Sequence, residues 1–70
     1  MPLSVADPGK EYEILRITGK DDIQKHLATM GFIVGSKVIL VSPGHGGDVI
    51  VNIKNVRVGI SEKLARKIMV

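Results

Sequence analysis

"KVILVSPGHGGDVIVNIKNVRVGI", residues 37–60, reads as three β-strands in succession. Lys37–Val41 is apolar on both faces. After Gly44-His45-Gly46-Gly47, the segment Asp48–Ile53 puts Val49, Val51 and Ile53 on one side and Ile50 and Asn52 on the other, as a period of two requires. Lys54-Asn55 is a two-residue connection, and Asn tolerates the left-handed conformation that a tight hairpin needs. Val56–Ile60 then alternates again, with Val56, Val58 and Ile60 inward and Arg57 and Gly59 outward.

Upstream, Pro2–Val5 is expected to be a short first strand, and Ala6-Asp7-Pro8-Gly9 a turn. Glu11–Ile17 follows as a strand, with Tyr12 and Ile14 on one side and Leu15 and Ile17 on the other. The clearest helix is Asp21–Met30. Its first turn is acidic, which suits the helix dipole, and Ile23, Leu27 and Met30 form one apolar stripe. Gly31 stands where a Schellman ending needs positive φ, with apolar Phe32 behind it. Downstream, Ser61 is placed to N-cap a short helix with Leu64, Ala65 and Ile68 on its apolar side. Met69-Val70 is left as a closing strand. Five or six short antiparallel strands avoid bare edges best by curling up. The expected fold is therefore mainly β: a small SH3-like barrel with one inserted α-helix and a short C-terminal helical turn.

Size and composition narrow the function. Seventy residues make one domain, and a chain this small buries only about 60% of its unfolded surface. There is no cysteine to staple it. With Tyr12 and Phe32 as the only aromatics, its core must be aliphatic. No run approaches the roughly 18 apolar residues of a membrane span, and the N-terminus has no signal-peptide core. The expectation is a cytoplasmic protein with no direct membrane insertion. A net charge of +3 is a mild pull on any anion. Nucleic-acid binding usually adds clustered cations and stacking aromatics, so no nucleic acid is expected.

The glycine-rich loop invites two sharper readings. A P-loop leads from a strand into a helix and supplies a Lys-Ser/Thr pair; this loop leads into a strand, and no lysine follows. Metal binding would draw on His45, Asp48 and the remote His26, against the four or so donors of a zinc site. The plainer reading is a hairpin tip with Asp48 bonded to turn amides. With no elbow serine, no cysteine and too little chain for a deep pocket, no enzyme and no cofactor are expected.

Three surface features remain. Lys63, Arg66 and Lys67 fall at i, i+3 and i+4, one basic face on the last helix. Such a face is usually just solvated, and an RNA or acidic protein is the sharper alternative. Ile39, Val41 and Ile50 lie opposite the inward sets, under the helices or as an exposed patch for another protein. Lys25, His26 and Thr29 look outward from the helix.

The run "HLATMGFIVGSKVILV", a Gly-Asp turn, and then "VRVGISEKLARKIMV" together resemble the ferrous-iron-transport protein A (FeoA) family. Leu27, Met30, Gly31, Phe32, Gly35, Val38 and Leu40 sit in the first pattern; Gly46 or Gly47 with Asp48 match the turn. Ala65, Ile68 and Val70 match the ending. Val34 replaces a usual proline, His26 a common arginine, and Val49 the proline after aspartate. The resemblance implies a cytosolic, SH3-like accessory protein of bacterial ferrous iron uptake. Its partner would be FeoB, the membrane transporter with a GTP-binding domain. Lys25, His26, Thr29, Ile39 and Val41 are the expected contact residues, chosen because they face outward. A metal-responsive protein using His45, Asp48 or His26, and an RNA-binding barrel, are the alternatives.

Overall fold

The computed structural model describes residues 1–44 and 47–70; His45 and Gly46 lie outside the described residues. The described residues form six strands: β1 (Glu11–Glu13), β2 (Arg16–Ile17), β3 (Lys37–Ser42), β4 (Asp48–Ile53), β5 (Val56–Ser61) and β6 (Ile68–Met69). Helix α1 spans Asp21–Thr29 and helix α2 spans Glu62–Ala65.

The quoted stretch forms the centre of the molecule. Strands β1, β3, β4 and β5 make a four-stranded antiparallel sheet in that order, and β2 pairs with β6 in a second, two-stranded one. The chain is thus mainly β. Its hydrogen-bonded ladders are two open sheets rather than a closed barrel among the described residues. Val38 and Leu40 of β3, Val49, Val51 and Ile53 of β4, and Ile60 of β5 are buried on one sheet face. The expected alternation of β4 is therefore observed. The β4–β5 hairpin turns on Lys54 and Asn55 at φ 53° and 63°, the positive pair that matches the right-handed twist of the flanking strands.

Val56 departs from the expectation. It faces Ile53 at the hairpin end and is 57% exposed, because the first residue after the turn reaches beyond the core. Between Leu40 and Ser42 the β3–β4 register shifts, which leaves Val41 as the extra residue of a bulge.

Helix α1 ends as its sequence demands. Gly31 takes φ 97°; its N–H donates to Ala28 O at 2.9 Å, and Phe32 N–H donates to Leu27 O at 3.0 Å. These are the two bonds of a Schellman motif. The apolar pair they bring together, Leu27 and Phe32, is fully buried. At α2, Ser61 Oγ accepts from Leu64 N–H at 3.2 Å, the predicted N-cap.

Three expectations are corrected. Pro2–Val5 is not a strand: Leu3–Val5 is a 3-10 turn that drops Leu3 into the core. Only Pro2 keeps a bridge, to Met69; proline has no N–H with which to extend a ladder. Glu11–Ile17 is not one strand but two. Ile14 N–H donates to Ser36 O and Leu15 N–H to Met69 O, so the chain changes sheets between them. Leu15 is left 62% exposed by that switch. Finally, α2 stops at Ala65, and Arg66 and Lys67 lie in the turn beyond it. Arg66 pairs with Glu62, and a Cβ on Gly19 would lie 3.3 Å from Lys67 Cδ. Lys63 is thus inside the helix, Arg66 is its C-cap in αR conformation, and Lys67 follows in the turn.

Candidate partner-docking groove

A concavity of about 410 Å³ runs beside α1. Its floor is Phe32, Ala28 and Ile17; Ile33 and Val34 form one wall, and Arg16, Gln24 and Lys25 form the rim. The sequence places them there by three local devices. Helical spacing sets Gln24 and Ala28 beside the stripe of half-buried Ile23 and buried Leu27, and Lys25 on the outer side of α1 beyond them. The Schellman bend delivers Phe32 inward and Ile33 and Val34 outward. The sheet switch at Ile14-Leu15 carries Arg16 and Ile17 to the opposite side.

The wall is held by a tight turn. Ser36 N–H donates to Ile33 O at 3.1 Å, and Gly35 at φ 93° allows the corner. Gly35 N–H also donates to Ile14 O at 2.8 Å, which fastens the turn beside Leu15. Ile33 and Val34 are 44% and 64% exposed. Sequence reasoning missed this wall. The signal was present in Ile33-Val34-Gly35, a turn whose first corner, Val34, is aliphatic where a polar residue or proline is usual.

The expected contact residues are not gathered into one place. Lys25 lines the groove. His26 and Thr29 are exposed but turn away from it, and Thr29 Oγ1 donates back to His26 O at 2.6 Å. Ile39 lines a separate cleft of about 150 Å³ with Glu11, Lys37, Asn52, Lys54 and Asn55. Val41 is 38% exposed on the bulge. Ile50 lies over the bare backbone of Gly59, with its Cδ1 3.4 Å from where a Cβ would stand there. No helix is needed to shelter it.

The expected metal candidates do not converge either. Asp48 opens β4, facing Ser61 of β5, while His26 sits on α1, and His45 lies outside the described residues. Among the described residues no three His, Cys, Asp or Glu side chains cluster to hold an ion. No helix among them is long and apolar enough to cross a membrane.

The FeoA domain family matches residues 1–70. The chain belongs to the FeoA family. FeoA proteins are small domains associated with ferrous iron transport. A solved iron uptake regulatory protein (FeoA) is 28% identical and superposes with a TM-score of 0.92, over 99% of this chain and 92% of that one. The iron(II) transport protein A of Clostridium thermocellum is 26% identical with a TM-score of 0.88, over 99% of this chain but 43% of its own. The Stenotrophomonas maltophilia FeoA, solved with zinc and described as a procaryotic SH3 domain protein, shares the fold. It is 22% identical with a TM-score of 0.81, over 99% and 87% of the two chains. No curated protein matches this chain.

Proposed function

We propose that this FeoA chain is a cytoplasmic accessory protein of bacterial ferrous iron uptake that regulates a FeoB-type transporter by protein–protein contact. The observation that carries the reading is the groove beside α1. It offers a preformed apolar floor, flanked by the exposed aliphatics Leu15, Ile33 and Val34. A concave apolar surface of this kind, next to an exposed patch, suits a protein partner. Membership of a transport-associated family supports the choice of partner. In this reading residues 1–70 are one SH3-like domain, the two sheets being halves of a curled barrel. The SH3 description of the S. maltophilia relative supports that view.

The expected contacts Lys25, His26, Thr29, Ile39 and Val41 reduce to Lys25 as the residue best placed to touch the partner. Arg16, Ile33 and Val34 join it. Titrating the chain into the purified cytosolic domain of the transporter tests the proposal. Saturable binding that Val34→Asp weakens is expected; no binding, with or without guanine nucleotide, overturns it. A metal-responsive role is the second reading, and the zinc complex of the S. maltophilia protein favours it. Calorimetry with ferrous and zinc ions separates the two, and a flat trace removes the second.

A further inference from the structure

The groove has a one-sided charge that docking alone does not require. Arg16 and Lys25 stand on its rim, and no carboxylate lines it. Both cations are exposed. Among the described residues the ion pairs are Lys37–Glu13 and Arg66–Glu62, so neither rim cation is spoken for. Asp21 and Asp22 precede Lys25 by one helical turn, yet neither reaches it within ion-pair distance and neither lines the groove. The third rim residue, Gln24, is tied down, its Nε2 donating to Gly19 O at 3.1 Å.

Beside these cations lies the apolar part. Val34 occupies a corner of the Ile33–Ser36 turn at 64% exposure beside the 44% exposed Ile33, and Leu15, 62% exposed, follows Ile14, whose carbonyl accepts from Gly35 N–H. Single exposed aliphatics are ordinary, but a contiguous group beside a concavity marks a binding surface.

We infer that the groove recognises a peptide segment of its partner that combines apolar side chains with aspartate or glutamate. The apolar side chains rest on Ile17, Ala28 and Ile33, packed around the buried Phe32, and the carboxylates meet Arg16 and Lys25. This rests on the docking reading above and specifies its chemistry. The volume, about 410 Å³, lies within the roughly 300–1,000 Å³ of pockets that enclose small ligands. It admits a few side chains. A bilayer would meet the convex Val34 corner but leave the groove floor unfilled, which favours a peptide over a lipid surface.

The test is selection of a phage-displayed random 12-residue library on the immobilised full chain, run in parallel with the Arg16→Glu/Lys25→Glu variant. Circular dichroism melts establish that both are folded. Expected is enrichment of sequences carrying Asp or Glu within a few residues of Leu, Ile or Phe. Their affinity should fall roughly tenfold on the double reversal and decline with added salt. Enrichment of basic or uncharged sequences overturns the proposal, as does an acidic set indifferent to the reversal. If no peptide is enriched and the chain instead pellets with phosphatidylglycerol vesicles, a lipid surface replaces it. If none is enriched and the chain instead self-associates in a manner the double variant abolishes, a second copy replaces it. Binding of the transporter domain without an acidic motif sinks this inference and spares the docking reading. An acidic motif without transporter binding upholds the inference and removes the partner.

Discussion

Asn55 sits at φ 63° in the second corner of the β4–β5 hairpin, where glycine is the better residue. Asn55→Gly should therefore raise the midpoint of thermal unfolding. A gain of about 0.5 kcal/mol corresponds to roughly 2–4 °C in a domain of this size, and a fall would show the turn to be wrongly read. Ser61→Ala removes the acceptor of Leu64 N–H and should cost about 1 kcal/mol in urea denaturation. Both features were legible in the sequence, as was Gly31, because turn and cap chemistry depends on a few neighbouring residues. Val56 was not. Its parity in the strand points inward, and only the position of the hairpin end relative to the core shows that nothing is there to cover it.

Among the elements, α1 and the β4–β5 hairpin were readable because each carries several turns or pairs of one period. The short pieces were misread. Three or four residues such as Pro2–Val5 hold too little periodicity to separate a strand from a 3-10 turn, and tertiary contacts decide. The break at Ile14-Leu15 left no local trace, since the change of sheet is dictated by partners at Ser36 and Met69, far along the chain. That break exposes Leu15 and positions Arg16 and Ile17, so the groove inherited its illegibility. Of the five expected contacts only Lys25 lines it, since outward-facing residues on a helix and a strand need not share a neighbourhood. At this scale, Leu27→Ala should destabilise the chain by about 2–5 kcal/mol, because Leu27 is fully buried and anchors both α1 and the Schellman turn. In a domain this small that leaves a large unfolded fraction, visible in the far-ultraviolet spectrum at 25 °C; an unchanged melt would mean α1 is not docked on the core.

For the whole molecule, composition already required an aliphatic core, and Phe32 is the one aromatic fully inside it. Fold class followed from the three strands of residues 37–60, while the pairing of β2 with β6 needed the structure. Family membership then supplies the setting of ferrous iron transport, and the groove beside α1 supplies the proposed point of contact. Exposed cations make such contact salt-sensitive. Affinity for the transporter's cytosolic domain should drop several-fold between about 50 and 300 mM salt, chiefly through the on-rate. A salt-independent affinity would remove Arg16 and Lys25 from the interface.

The most direct measurement is a map of backbone amide shifts in the isotope-labelled chain as that cytosolic domain is added. Shifts gathered at Leu15–Ile17, Gln24–Ala28 and Phe32–Val34 are the expected result. Shifts confined to Ile39, Val41 and Ile50 on the outer sheet face, or none at saturating partner, would contradict the docking groove.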